Sequence, residues 1–131
     1  MIDDVAAVHH ALAELDAAFA GRDCSAILGL CTEDVVFIGS GEGEEAVGRD
    51  RIAEVFAELA PDEDGVKFSL SWHSVDVEVL GDVAILVAWG TGTLDSPRRN
   101  AEMRYRLTGV LTRRGERWLW RVYHGSEPAR W

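Results

Sequence analysis

The sequence predicts an α+β domain in which three N-terminal helices pack on one face of a curved, mostly antiparallel sheet to give a cone. Three observations lead to this class: helical spacing of apolar residues in the first half of the chain, a period of two after Gly65, and one change of phase in that alternation at His73-Ser74. At 131 residues the chain is long enough to bury one core and too short for two. We therefore assign residues 1–131 to a single domain.

The first two helices are predicted from spacing and caps. Between Asp3 and about Ala20, apolar residues recur at helical intervals, at Val5, Val8, Leu12, Leu15 and Phe19. Gly21 ends this helix. Either Asp23 or Ser25 caps a second, shorter helix.

A short strand, a loop and a third helix follow. The β-branched run Val35 to Ile38 predicts the strand. The loop Gly39 to Gly48 holds glycines and glutamates, whose charge repels an anion, so we interpret it as a solvated turn or a lip over a cavity. Helical spacing returns from Arg49 to Leu59 and ends at the turn Pro61 to Gly65.

Two long strands come next. Phe68, Leu70 and Trp72 alternate on one parity, whereas Val75, Val77 and Val79 follow the other, and a β-bulge near His73-Ser74 would produce that change. Gly81-Asp82 makes a hairpin into Val83 to Leu94, which is apolar on both parities, as expected of a central strand.

The last two strands alternate more simply. In Ala101 to Thr112, apolar residues oppose charged ones. In the strand Trp118 to Ser126, strict alternation places Trp118, Trp120, Val122, His124 and Ser126 on the inner face and Arg121 and Tyr123 on the outer face.

Composition excludes several partners. With 13 basic and 23 acidic residues, the net charge of −10 repels phosphate backbones and anionic membranes, so we expect neither nucleic acid nor membrane binding. No segment predicts a membrane span or a signal peptide, and we expect a cytoplasmic protein. Cys24 and Cys31, two turns apart on the second helix, lie too far apart for a disulfide. The histidines show no metal-ligand spacing, and we expect no metal and no cofactor.

Four segments in order resemble a known family: Glu33 to Phe37, Gly48 to Ile52, Arg106 to Leu111 and Trp118 to Pro128. From about Asp4 to Pro128 the chain resembles the SnoaL-like branch of the nuclear transport factor 2-like superfamily. Its relatives include ketosteroid isomerases, polyketide cyclases, scytalone dehydratase, limonene epoxide hydrolase and a non-catalytic kinase association domain. The resemblance implies the cone-shaped fold, commonly a homodimer packed through the sheet, and no single reaction.

The isomerase machinery has no counterpart in this chain. In an ungapped comparison, the general base of ketosteroid isomerases falls at Gly39, the oxyanion-hole tyrosine at Leu15 and the oxyanion-hole acid at or beside Leu107. Without a base and both donors, that route for proton transfer is absent.

Other residues are candidates for a site inside the cone. His124 is the inward group able to exchange a proton near neutral pH, and Tyr105 could donate to an oxyanion. Ser126 could orient the imidazole or bind a ligand oxygen. A histidine bonded at a strand end is the structural alternative. Ligand-lining candidates are aromatic or flexible side chains that would otherwise fill the core, namely Phe37, Phe56, Trp72, Trp89, Met103 and Trp120.

Two functions remain open at this stage. One is a domain that binds a small apolar or aromatic molecule in the cone without chemistry. The other is an isomerase, cyclase or dehydratase that uses His124 as acid or base on a carbonyl or hydroxyl substrate. We also expect a homodimer through the outer sheet face, which carries Glu102, Arg104, Arg106, Thr108, Arg121 and Tyr123.

Overall fold

The structure, a computed structural model, describes residues 3–59 and 67–129. It contains three helices and six strands. In chain order these are α1 (Asp4–Ala20), α2 (Cys24–Gly29), β1 (Cys31–Ile38), β2 (Glu45–Val47), α3 (Arg49–Leu59), β3 (Lys67–Leu80), β4 (Val83–Asp95), β5 (Asn100–Arg114) and β6 (Arg117–Ser126).

The six strands form one sheet in the order β2-β1-β6-β5-β4-β3. The β1–β6 pair is parallel, and the four other pairs are antiparallel. The α+β class with a curved, mostly antiparallel sheet is confirmed. The helices are not one uninterrupted N-terminal group, because β1 and β2 separate α2 from α3.

Side-chain caps and an apolar stripe explain the first two helices. Asp3 caps α1, accepting from the Ala6 amide at 2.8 Å, and Asp23 caps α2, accepting from the Ala26 amide at 3.0 Å. Asp23, rather than Ser25, is therefore the second cap. Val8 and Leu15 are buried against the sheet, as the spacing predicts.

The region around β1 differs from the prediction in two ways. Cys31 opens β1 instead of ending the second helix, because β1 begins four residues earlier than its β-branched run. Cys24 and Cys31 are free thiols on different elements. The loop Gly39 to Gly48 contains a short strand, β2, which pairs with the end of β1. The predicted turn Pro61 to Gly65 lies outside the described residues.

Two bulges set which side chains face the helices. The register of β3 against β4 shifts between Trp72 and Ser74, which confirms the bulge predicted at His73. A second shift lies in β6, where Leu111 pairs with Trp120 but Val110 pairs with Val122. Arg121 is the extra residue there, and every residue after it changes face.

Strand β4 turns Ala84, Leu86, Ala88 and Gly90 inward, where they are buried. Ile85 and Trp89 lie on the opposite face. We call the helix-covered side of the sheet its concave side and the other its outer face. Within residues 3–59 and 67–129, no helix is long and apolar enough to cross a membrane.

Candidate functional site

Four aromatic rings meet on the concave side, where α1, β1, α3 and β6 converge. This aromatic cluster consists of Phe19, Phe37, Phe56 and Tyr123. Phe37 stacks on Tyr123 with centroids 4.9 Å apart, and Phe19 stacks on Phe56 at 6.0 Å. Phe37 and Tyr123 are buried, but Phe19 and Phe56 are half-buried. The half-buried rings of Phe19 and Phe56 therefore give the cluster a flat, partly exposed apolar surface.

A carboxyl group stands three residues before Phe19 on the same face of α1. Asp16, on α1, accepts a hydrogen bond from Trp72 Nε1 of β3 at 2.7 Å. Burial raises the pKa of Asp16 from 3.8 to about 6, against the lowering effect of the indole hydrogen bond. The group is half-buried and can exchange a proton near neutral pH.

Two tyrosines on neighbouring strands form a second polar pair. The Tyr105 and Tyr123 hydroxyl oxygens are 3.1 Å apart, and both side chains are buried. Burial raises the pKa of both hydroxyls, so they stay protonated at neutral pH. Gly125 makes room for this pair, because a Cβ there would lie 1.8 Å from the Tyr105 hydroxyl oxygen.

Two buried hydrogen-bond donors on the concave side have no acceptor in the described part of the chain. When one tyrosine hydroxyl donates to the other, one O–H hydrogen remains without an acceptor among the described residues. The ring centroids of Trp120 and Tyr123 are 5.7 Å apart. The buried Nε1 of Trp120 also lacks an acceptor in the described part of the chain. Buried donors normally find a partner, so these two are candidates to bond an oxygen of a ligand or of water.

The glycine-rich loop contributes a second negative charge. Glu44 folds back over the loop, where the Gly39 amide donates to its carbonyl oxygen and the Gly41 amide to its Oε2. The charges of Glu44 and Asp16 both raise the pKa of the Tyr105 and Tyr123 hydroxyls. The surroundings of the tyrosine pair thus disfavour an anion.

The predicted ligand-lining residues divide into two groups. Phe37, Phe56, Trp72, Met103 and Trp120 have the predicted inward orientation, although Trp120 is fully buried as a core residue. The inward orientation predicted for Trp89 is wrong. Its side chain is 45% exposed on the outer face, because pairing with Ser74 and Arg106 puts it on the parity opposite Ala88 and Gly90.

The inward orientation predicted for the end of β6 is also wrong. The bulge at Arg121 exchanges the two faces, so His124 is exposed on the outer face and Tyr123 is buried. Ser126 accepts from Arg106 Nε at 3.2 Å instead of orienting an imidazole. Of the three predicted catalytic residues, only Tyr105 lies on the concave side.

Other features of the chain were also candidates for sites. An open groove of about 720 Å³ is lined by residues of β4 and β5, Met103 among them, and by residues 127–129. Burial raises the pKa of Cys31 to about 11, which keeps the thiol protonated and unreactive. In the part of the chain that the structure describes, no group of three histidine, cysteine, aspartate or glutamate side chains could hold a metal ion.

Sequence reasoning missed Asp16 and the inward position of Tyr123. Asp16 is four residues after Leu12 and three before Phe19, which places it on the apolar stripe of α1. The helical spacing alone therefore places a carboxyl group among apolar side chains, and this signal could have identified Asp16 from the sequence. For Tyr123, apolar residues on both parities of β6 conceal the bulge.

Comparison with known proteins agrees with this architecture. The family model for the SnoaL-like domain matches residues 8–130, so the chain belongs to the SnoaL-like family. Its structural neighbours are nuclear transport factor 2-like proteins. No curated protein matches the sequence significantly.

Three solved structures illustrate the range of the fold. A candidate dehydratase of the nuclear transport factor 2-like family from Streptomyces avermitilis is 18% identical, with TM-score 0.82 and 97% of each chain covered. A candidate calcium/calmodulin-dependent protein kinase II association domain from Xanthomonas campestris is 22% identical, with TM-score 0.80 over 98% of this chain and 88% of that one. A candidate scytalone dehydratase from Novosphingobium aromaticivorans is 10% identical, with TM-score 0.81 over 96% and 85%. At these identities the likeness shows the fold alone.

Proposed function

We propose that this chain binds a small, mainly apolar or aromatic molecule on the concave side of its sheet, with an oxygen of the ligand near the tyrosine pair. The observation that carries this proposal is the partly buried Asp16–Trp72 pair, whose carboxylate acts on Tyr123. Tyr123 in turn packs against Phe19, which stacks on Phe56, and both phenylalanine rings are half-buried. Such a wall recognises flat apolar surface, and its few polar groups orient the ligand.

The cost of burying Asp16 supports a functional role for it. Its carboxylate is desolvated at neutral pH and has one described hydrogen-bond donor, Trp72. Desolvated charge destabilises a fold, and groups with such shifted pKa values are concentrated at functional sites. An uncharged residue would hold α1 against β3 at lower cost.

The same charge predicts which ligands are excluded. Asp16 and Glu44 both act on the tyrosine pair, so an anionic ligand would meet two negative charges. A neutral ligand with one hydroxyl or carbonyl oxygen avoids this repulsion and supplies the missing acceptor. The favoured ligand class is therefore neutral and aromatic.

The test is a binding comparison among three probes of one shape. Naphthalene, 2-naphthol and 2-naphthoate are titrated into the protein and followed by NMR shifts of the concave residues. We expect 2-naphthol to bind at least threefold more tightly than naphthalene, and 2-naphthoate to bind most weakly. Phe56→Ala should weaken binding at least fivefold, whereas Val5→Ala, an exposed change on α1, should not. Shifts confined to the outer face, or none at millimolar probe, would contradict the proposal.

A second candidate function is proton transfer of the isomerase, cyclase or dehydratase type, favoured by the Asp16 pKa of about 6. In this role Asp16, and not the outward-facing His124, is the acid–base group. The Asp16 carboxylate takes a proton from carbon next to a carbonyl, the C–H electrons form a C=C bond, and the carbonyl electrons move to oxygen. A tyrosine hydroxyl donates to that oxygen, and Asp16 returns the proton.

Isotope exchange separates this function from simple binding. In D2O, the protein should speed deuterium incorporation into the methyl group of 2-acetylnaphthalene, with a rate that rises as pH passes through about 6. Asp16→Asn should abolish the acceleration, whereas His124→Gln should preserve it. If the bound ketone exchanges deuterium no faster than it does in buffer, the proton-transfer function is contradicted and only the binding function remains.

A further inference from the structure

Glu44 belongs to the concave side of the sheet, although it stands in the glycine-rich loop. In the β1–β2 pair, Phe37 is opposite Ala46. The Gly39 amide donates to the Glu44 carbonyl oxygen, so the pairing continues beyond β1 and sets Glu44 opposite Gly39. Alternate residues of a strand share a face, and both Phe37 and Ala46 are buried. The Glu44 side chain is therefore directed to the concave side.

The absent side chain of Gly39 leaves room for the Glu44 carboxylate. A Cβ at Gly39 would clash with Oε2 of Glu44. Among the described residues the carboxylate accepts one hydrogen bond, from the Gly41 amide at 3.2 Å, whereas a carboxylate can accept about four. Glu44 is half-buried, but Glu42 and Glu45 in the same loop are exposed. Glu44 thus brings unused acceptor positions to the concave side.

The Tyr105 hydroxyl occupies the matching place on the next strand. Ile38 of β1 is level with His124 of β6. The residues that follow them, Gly39 and Gly125, are therefore neighbours across this parallel pair. A Cβ at Gly125 would clash with the Tyr105 hydroxyl, just as one at Gly39 would clash with the carboxylate. The two groups thus lie over adjacent glycines, about 5 Å apart, which is the spacing of neighbouring strands.

One oxygen atom fits between these two groups. In the part of the chain that the structure describes, no hydrogen bond joins Glu44 to Tyr105. A separation of about 5 Å is too long for a direct bond, but it suits an oxygen bonded to both groups at about 2.7 Å. When Tyr123 donates to Tyr105, the Tyr105 hydrogen remains for that oxygen. The oxygen must then donate its own proton to the carboxylate, which a hydroxyl can do and a carbonyl or ether oxygen cannot.

We propose that Glu44 makes this site specific for ligands with a hydroxyl group, by accepting the ligand O–H while Tyr105 donates to the same oxygen. This inference rests on the proposed binding function and narrows its ligand class to aromatic molecules that carry a phenol or alcohol group. A hydroxyl that donates to a carboxylate forms a charge-assisted bond, which is about twice as strong as a bond between neutral groups. The charge of Glu44 therefore holds a neutral hydroxyl and repels an anion.

Two probes that differ in one donor hydrogen test this role. The parent chain is titrated at pH 7 with 2-naphthol and with 2-methoxynaphthalene, whose oxygen can accept but cannot donate. We expect 2-naphthol to bind at least fivefold more tightly. Glu44→Ala should weaken the binding of 2-naphthol at least fivefold and change that of 2-methoxynaphthalene less than twofold. Glu44→Gln keeps an acceptor without the charge, so its preference for 2-naphthol should fall between those of the parent chain and Glu44→Ala.

Two further variants separate the carboxylate from the loop that holds it. Glu42→Ala removes an exposed carboxylate from the same loop and should leave both dissociation constants unchanged. Gly39→Ala keeps Glu44 but puts a methyl group where its carboxylate lies, and it should reduce the preference for 2-naphthol as Glu44→Ala does. Circular dichroism of each variant should match that of the parent chain.

Each other outcome overturns the inference. Equal binding of the two probes to the parent chain contradicts it, although the proposed binding function then stands. A preference that persists in Glu44→Ala contradicts it too. If the preference disappears only because 2-methoxynaphthalene binds more tightly, Glu44 acts by steric exclusion and not as an acceptor. If neither probe binds at millimolar concentration, the proposed binding function fails as well.

Discussion

Asp16 Oδ2 and Trp72 Nε1 lie 2.7 Å apart and join α1 to β3, although the two residues are 56 positions apart in the chain. The bulge at His73 follows Trp72 directly and lets β3 change face immediately after the indole. The hydrogen bond favours the charged carboxylate, while burial opposes it more strongly. This balance gives the group a pKa near neutrality and makes it the most informative target for substitution.

Replacing Asp16 with asparagine should stabilise the fold at neutral pH. The pKa of Asp16 is raised from 3.8 to about 6, so the folded protein binds more protons than the unfolded chain between these values, and its stability falls as pH rises through that window. Asparagine does not titrate, and its oxygen still accepts from Trp72. After allowance for partial exposure, we expect a gain of about 1–2 kcal/mol at pH 7.5 and none near pH 4, measured by urea unfolding. A gain of equal size at both pH values would contradict this origin.

Removing the indole donor should shift the titration of Asp16 upwards. Trp72→Phe keeps a ring against Tyr105 but deletes the N–H group that lowers the pKa of Asp16. We expect the midpoint of the Asp16 carboxyl carbon signal, followed by NMR, to move above about 6. Trp89→Phe, a matched change on the outer face, should leave that midpoint in place.

The two tyrosine hydroxyls should be energetically coupled. Tyr105→Phe leaves the buried Tyr123 hydroxyl without its described partner, and Tyr123→Phe does the reverse. Each change should lower the free energy of unfolding by about 1–2 kcal/mol. The double variant should lose less than the sum, with a coupling of about 1 kcal/mol in a double-mutant cycle. Strict additivity would show that the hydroxyls do not interact.

Adding a methyl group at Gly125 should destabilise the fold, because the new Cβ would clash with Tyr105. The added Cβ would lie 1.8 Å from the tyrosine oxygen, so the ring must move within a packed core. We expect Gly125→Ala to reduce stability by about 1–3 kcal/mol. Gly29→Ala is the control, because nothing lies within 4 Å of a Cβ built there. Thermal unfolding of both variants checks the contrast, and equal effects would contradict it.

A β-bulge could be predicted from the sequence only where it interrupts the alternation of apolar and polar residues. In β3, polar residues interrupt the apolar alternation at His73-Ser74, so the change of parity appears in the pattern and the bulge is confirmed. In β6, tryptophan, leucine, valine and tyrosine occupy both parities around Arg121. No interruption marks the second bulge, and the predicted positions of Tyr123 and His124 were therefore exchanged.

Strand β4 illustrates a second limit of such predictions. Trp89 was predicted to face the helices, but pairing with β3 and β5 puts Ala84, Leu86, Ala88 and Gly90 there instead. The helices supply the bulk of the concave side, and Ala84 and Ala88 leave room for them. Which parity is covered depends on contacts between distant segments, which the spacing within one strand does not contain.

The position of β6 has a consequence for how the chain acquires its structure. β6 lies between β1 and β5, and its parallel pairing with β1 joins segments about ninety residues apart. During synthesis the helices and β1 emerge before β6, so β1 cannot form its parallel pair until the last strand is present. Contacts of such long range slow folding and leave apolar surface uncovered meanwhile. In this member of the family, the N-terminal strands therefore join the rest of the sheet only when the C-terminal strand β6 pairs with β1.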